Sequence, residues 1–380
     1  MKKRYLSLDI LRGITVAFMC MVNNPGSWSN IFPPLSHAGW NGCSPTDLVY
    51  PFFLFCVGCA MAFSYSKYDS FSKDSFLKLL KRSLSIFAVG VLLNLYPFYP
   101  TSLHDPENMT FGQNYIYWLQ HKRILGVLQR IAMAYFIGGT LALWLRKPGR
   151  IIAGLVALCA GYTALLLGFG TDPGAFTLEG NIAGKLDVAL FGADHVYHGY
   201  GIPFDPEGIL GSFPAAGNVL IGYLIGSLIL SSSRRYAEDA ASVMDSPVGV
   251  VSRVFVSGVV CLALAEILSI WIPISKPLWS ASYVFYTCGW AMVVLGFLAF
   301  CVDVKGCEKP FFPFKVMGMN ALAAFVLSGL IAKSYQFVGW VPSKVFGANE
   351  YLSLAHSLLF ATVIFLILFG LYKKKVFIKL

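Results

Sequence analysis

Ten apolar blocks, most of them close to twenty residues long, divide this chain of 380 residues. That length is what a helix needs to cross a bilayer core. The blocks fall at roughly 6–23, 45–66, 83–97, 124–145, 151–169, 209–231, 253–273, 281–301, 314–338 and 351–372. In hydrocarbon the backbone must satisfy its own polar groups, so blocks of this kind are read as helices. The expected fold is all-α, a polytopic membrane protein with about ten transmembrane helices in one bundle and a single domain over residues 1–380. Only 13% of the residues are charged, about half the share of a soluble domain.

The net charge of +10 would suit a nucleic-acid partner, but the placement of the charges argues against one. Twenty-one of the 29 Lys and Arg residues cluster at alternate ends of the blocks, from Lys2, Lys3 and Arg4 through Lys78, Lys81 and Arg82 to Lys373, Lys374, Lys375 and Lys379. Five (Lys122, Arg123, Lys185, Lys276 and Lys344) fall between the other ends, and Arg12, Arg130 and Lys333 lie within blocks. That asymmetry is the positive-inside pattern and puts both termini in the cytoplasm. The long connections, 24–44, 98–123, 170–208 and 339–350, then lie outside and hold five of the six histidines. The basic start resembles a signal peptide, yet Asp9 and Arg12 interrupt the apolar run and no small-x-small cleavage site follows. It is read as a retained first helix.

Nine cysteines build no disulfide framework, because most fall in apolar blocks and Cys43 alone is clearly external. Cys56 and Cys59 have the spacing of a redox or metal pair, but no second pair or histidine cluster completes a site. They are read as packing residues, and no metal is expected.

The segment from Asn23 to Gly58 concentrates the chemistry. It holds His37 between Pro33-Pro34 and Trp40-Asn41-Gly42, contains no Lys or Arg, and ends in Ser44-Pro45-Thr46-Asp47. Imidazole titrates near neutrality and can take a proton from an attacking amine or hydroxyl, which makes His37 the leading catalytic candidate. Asp47 either partners it or caps the helix that Ser44 and Pro45 begin. Asp9, Arg12, Met19 and Asn23 share one face of the first helix. They form either a structural pair and a terminal cap, or a groove that is anionophilic at Arg12 and reactive at Asn23. Arg123, Val127 and Arg130 share a face of the fourth, and a buried Arg130 needs an anion. Glu266 and Lys333 are further intramembrane charges. Asp205 and Pro206 could start the sixth span; alternatively Asp205, Glu207 and His198 hold a polyhydroxylated or cationic substrate. Trp40 and Trp279 could stack on a sugar ring, with Asn41 beside Trp40.

Several of these stretches resemble one known family in sequence order. Leu6-Ser7-Leu8-Asp9-Ile10-Leu11-Arg12-Gly13 is similar to the opening signature of the heparan-α-glucosaminide N-acetyltransferase family. His37-Ala38-Gly39-Trp40-Asn41-Gly42, Asp47-Leu48-Val49-Tyr50-Pro51, Arg123 to Arg130, Phe204 to Gly211 and Lys276 to Tyr283 continue the resemblance, and Asp303 to Gly306 and Gly318 to Ala321 extend it. The resemblance implies acetyl transfer from cytoplasmic acetyl-CoA, across the membrane, to the amine of a terminal glucosamine. It places the active-site histidine on His37, its neighbouring asparagine on Asn23 and the following aspartate on Asp47. Two departures stand out: the spacer from Asn23 to His37 is longer than in the lysosomal enzyme, and the chain lacks that enzyme's additional N-terminal luminal region. The compact form resembles bacterial relatives, which implies an inner-membrane location and a small amino-sugar acceptor. A homodimer is implied by the same resemblance.

The combined expectation is a transmembrane N-acetyltransferase. Arg12, Arg130 and Asp9 form the acetyl-CoA end, and Asn23, His37 and Asp47 the reaction centre. Trp40, Asn41, Arg123, His198, Asp205, Glu207 and Trp279 surround the acceptor sugar. The rival is a transporter for an amino sugar such as N-acetylglucosamine, against which stands the lack of a clear inverted repeat or paired broken helices.

Overall fold

A computed structural model describes residues 5–68, 71–100 and 104–378. The basic start Lys2-Lys3-Arg4 and Lys379 lie outside the described residues. Among the described residues the chain is helical, without a β-sheet. The long helices are α1 (Leu6–Val22), α2 (Pro45–Tyr65), α3 (Lys73–Leu95), α5 (Val127–Leu145), α6 (Pro148–Phe169), α8 (Ser212–Glu238), α9 (Pro247–Ser269), α10 (Ala281–Leu298) and α14 (Glu350–Lys373). The shorter α11 (Phe312–Met319) and α12 (Ala321–Ser334) make a bent pair, and α4 (Phe111–Gln120), α7 (Ile182–Phe191) and α13 (Pro342–Phe346) lie in the connections.

Seven of these helices, α2, α5, α6, α8, α9, α10 and α14, are long and apolar enough to cross a membrane, and the bent pair makes eight if counted as one span. The chain is an integral membrane protein. α1 stops at 17 residues. α3 begins ten residues before the expected 83, so its first turns carry Lys73, Asp74, Lys78, Lys81 and Arg82. The ninth span, expected to be continuous over 314–338, is instead broken by 75° between Met319 and Ala321. At the break Asn320 leaves helical geometry (φ −127°, ψ 38°). Its side chain donates to Val376 O (3.1 Å) and accepts from Ile378 N–H (2.9 Å), binding the C-terminal tail into the break.

The core runs continuously through α1, α2, α5, α8 and α10. Close approach of the helix backbones depends on glycine at two crossings. A Cβ on Gly13 of α1 would stand 1.7 Å from Phe314 O of α11, and one on Gly222 of α8 would stand 2.1 Å from Phe55 O of α2. Small residues at helix crossings are a general device for tight packing in membranes.

The 23–44 connection ties together the loops at one end of the bundle. Gly26 N–H donates to Ser353 O (3.3 Å) and Asn30 Nδ2 to Gly347 O (2.7 Å), reaching the start of α14. Trp40 Nε1 donates to Phe176 O (2.6 Å) in the α6–α7 loop. Gly42 N–H donates to Ile274 O (2.7 Å), and two residues back Trp40 O accepts from Ser275 Oγ (2.8 Å). These contacts fix the loop that carries His37 against the α9–α10 turn.

Candidate active site

Ser44 stands before the first turn of α2 in extended geometry, with Pro45 at the first helical position. Asp47 sits at the third, where its Oδ2 accepts from Ser44 N–H (3.0 Å) and Ala38 N–H (2.9 Å). Its Oδ1 lies 2.7 Å from His37 Nδ1. The two readings of Asp47 are therefore both realised, one by each carboxylate oxygen. Asp47 is 1% exposed in its side chain and His37 is 48% exposed, so a buried anion orients a ring that faces open space. Tyr283 Oη donates to Asp47 O (2.6 Å), holding the same turn from α10.

His37, Asp47 and Asn23 line one cavity of about 300 Å³ together with Arg123, Glu207 and Lys276. Tyr50, Tyr197 and Tyr200 complete its aromatic wall. Arg123 grips Asp205 with two parallel bonds, Nε to Oδ2 at 2.9 Å and Nη2 to Oδ1 at 2.5 Å, and also pairs with Glu207. Burial alone would lower the guanidinium's pKa; Glu207 and Asp205 more than offset it and hold the group above its ordinary value. Asp205 accepts from Glu207 N–H (2.9 Å). It braces this turn and does not start a helix, for α8 begins only at Ser212.

Lys276, to which the sequence reading gave no role, has its Nζ 2.9 Å from His37 Nδ1 and 3.1 Å from Asp47 Oδ1. The signal available was its place in the Lys276 to Tyr283 stretch, just ahead of the Ser280 cap of α10. Asp187 of α7 was missed too. It is buried, accepts from Ile209 N–H through Oδ1 (3.0 Å), and its Oδ2 takes no hydrogen bond among the described residues. Burial pushes its carboxyl up to about 6. Cys43 also lies close by, and burial pushes its thiol up to about 12, so it is a poor thiolate nucleophile.

Other candidates fall elsewhere. Trp279 is 1% exposed, and its indole donates to Asn218 Oδ1 (2.9 Å). It packs edge-on against Tyr50 and Tyr283 inside the bundle, which leaves no face for a sugar. Trp40 is half-buried against Phe204 and Tyr200 and serves as a tie between loops. His198 and Asn41 are exposed and do not line the cavity. Arg130, 1% exposed, stacks on Trp279 and donates to Gly208 O (3.0 Å). It is enclosed by protein and turned to the same turn that Arg123 braces, while its Nε and Nη1 take no hydrogen-bond partner among the described residues. Arg12 pairs with Asp9 on α1 (3.4 Å). Lys333 donates to Asn94 O at the end of α3 (3.4 Å) and to Leu93 O, while Glu266 is exposed on α9.

A helical membrane protein with a histidine–carboxylate pair and a charged cavity at one end is the class that these observations define. The profile of the heparan-alpha-glucosaminide N-acetyltransferase catalytic region matches residues 4–254, and the chain belongs to that family. It is 27% identical to the heparan-alpha-glucosaminide N-acetyltransferase of Homo sapiens and 24% identical to that of Mus musculus, in each case over 99% of this chain. The chain spans 60% of the length of these relatives.

Proposed function

We propose that the protein transfers an acetyl group from cytoplasmic acetyl-CoA to the amine of a glucosamine-type sugar. The observation that carries this reading is the convergence of His37, Asp47 and Asn23 on one charged cavity. The loop end of the bundle faces away from the cytoplasm in this reading, as the distribution of Lys and Arg supports. The cavity has the size of a small-ligand site, and its carboxylate Glu207 suits an ammonium group.

Each residue has a role that follows from its position. Asp47 holds the His37 ring through Nδ1 and leaves Nε2 to act as base or acetyl carrier. Asn23 is the oxyanion donor, a contribution of about 3 kcal/mol where such a donor is well placed. Glu207, set by Arg123, receives the sugar ammonium. Arg12, on the α1 face that leads to Asn23, meets the phosphates of the donor about 16 Å away along the helix. The bound ammonium first gives up one proton to solvent; the free amine nitrogen then bonds to the acetyl carbon, the carbon–sulfur bond breaks, and the second proton passes through His37 to the departing thiolate.

The test is release of free CoA by the detergent-purified protein given acetyl-CoA with and without glucosamine. Release that depends on glucosamine and disappears in a folded His37→Ala variant is expected. Native-rate release by that variant overturns the assignment of His37, and no release by the wild type with any amino sugar overturns the enzyme reading. A sugar transporter is the second reading, favoured by the broken span at Asn320. The Asn320 side chain at that break is taken up by the tail at Val376 and Ile378. Net sugar flux into liposomes without acetyl-CoA would establish the transporter.

A further inference from the structure

We infer that Lys276 sets the tautomer of His37 and is thereby a positioning residue of this site. Three distances close a triangle. His37 Nδ1 lies 2.7 Å from Asp47 Oδ1, Lys276 Nζ lies 2.9 Å from His37 Nδ1, and Lys276 Nζ lies 3.1 Å from Asp47 Oδ1. A neutral imidazole nitrogen has either one N–H or one lone pair, never both. Nδ1 can therefore bond to Asp47 or to Lys276 at any moment, but not to the two together.

Two arrangements satisfy the triangle. In the first, Nδ1–H donates to Asp47 and Lys276 donates to Asp47 as well, which leaves Nε2 with its lone pair. In the second, Lys276 donates to Nδ1 and to Asp47, for an ammonium has three N–H groups. The ring proton then resides on Nε2. The first arrangement sets N–H against N–H at 2.9 Å, and the second sets lone pair against lone pair at 2.7 Å. Each carries one unfavourable contact, so the two compete and neither excludes the other. Only the first gives His37 a basic Nε2.

Lys276 is not a loosely solvated surface charge. Its neighbours Ser275, Leu278, Trp279 and Ser280 are buried. Ser275 is bonded to Trp40 O, Leu278 O accepts from Tyr162 Oη (2.6 Å), and Lys276 O accepts from Trp279 N–H (3.0 Å). Trp279 holds a left-handed φ of 54°, a conformation that a non-glycine residue adopts only where its surroundings enforce it. The backbone is fixed and the four-carbon side chain reaches the cavity wall. Negative charge appearing in the cavity draws the ammonium off Nδ1 and favours the base-competent tautomer. The other charged groups on that wall, Arg123 and Glu207, are already paired with each other.

This assignment deepens the reading of His37 as base, but its test does not depend on turnover. The protein is labelled with ¹⁵N at its six histidines, and the ring signals of His37 are identified by their loss in His37→Gln. The wild type is expected to show both tautomers, or their average. Lys276→Met, and Lys276→Leu as a second replacement without an N–H donor, are expected to lose the Nε2–H form and leave only Nδ1–H. Asp47→Asn is expected to shift the ring the opposite way. A wild-type His37 wholly in the Nδ1–H form, or a folded Lys276 variant with the wild-type spectrum, overturns the inference. An inactive protein that shows these tautomer changes would sink the acetyltransferase reading and leave this one standing.

Discussion

Arg123 meets Asp205 edge-on, Nε to Oδ2 at 2.9 Å and Nη2 to Oδ1 at 2.5 Å, and the same guanidinium pairs with Glu207. One planar cation thus fixes two carboxylates that are two residues apart in sequence. Lysine carries the same charge but cannot fork. Arg123→Lys should therefore release Glu207 while leaving the cavity's net charge unchanged. A lost hydrogen bond to a charged group is worth about 1.5–3 kcal/mol, so the KM for glucosamine should rise roughly tenfold or more. An unchanged KM would show that Glu207 does not bind the acceptor.

The two oxygens of Asp47 do different work, and two substitutions separate them. Asp47→Asn keeps a cap acceptor for Ser44 N–H and Ala38 N–H but turns an amide toward His37 Nδ1. Wrong-tautomer variants of histidine–aspartate sites lose about 10⁴ in kcat, and a fall of about 10²–10⁴ is expected here with the fold kept. Ser44→Ala instead weakens the cap, at about 1 kcal/mol, and should lower the melting temperature far more than the rate. Equal effects of the two on rate would mean that Asp47 acts only as a helix cap.

Much of this site was legible in the sequence because it is local. His37 and Asp47 lie ten residues apart on either side of a recognisable helix start. Arg123, Asp205 and Glu207 were marked as polar groups at the ends of apolar blocks, but nothing in their spacing fixed them as partners. Lys276 is 239 residues from His37. Its role arises from the way Gly42 and Ser275 join two loops, a tertiary contact that leaves no pattern in either segment. Trp279 and Arg130 show the opposite case. Their residue types suit ligands, and only packing shows that they stack on each other inside the bundle. The break at Asn320 was hidden because apolar residues continue on both sides of it and the groups that stabilise it come from the tail.

The α2–α8 crossing makes a prediction about stability alone. A Cβ on Gly222 would stand 2.1 Å from Phe55 O, and one on Gly58 would stand 2.0 Å from Val219 O. Backbone carbonyls within helices cannot swing aside, so the two helices would have to separate. Overpacking of this kind costs about 1–3 kcal/mol. Gly222→Ala and Gly58→Ala should each lower the melting temperature in detergent, and Gly161→Ala on α6, where a Cβ meets nothing within 4 Å, should not. The comparison is internal, because all three place alanine in a long apolar helix.

Asp187 gives the pH dependence its sign. Its carboxyl is pushed up to about 6 from 3.8, chiefly by burial, with Asp205 adding to the effect and Ile209 N–H and Arg130 opposing it. The folded protein therefore favours the protonated acid. The stability this group contributes is fully present below 3.8 and is lost as pH rises through about 6. Above that pH the fold carries a buried anion whose Oδ2 has no hydrogen-bond donor among the described residues. A shift of this size corresponds to about 2–3 kcal/mol between the two limits. Asp187→Asn retains an acceptor for Ile209 N–H and cannot ionise. It should melt higher than the wild type at pH 8, and the gap should shrink as the pH is lowered to 5. A gap that stays constant across that range would mean that Asp187 is already ionised at pH 5, with Arg130 outweighing burial.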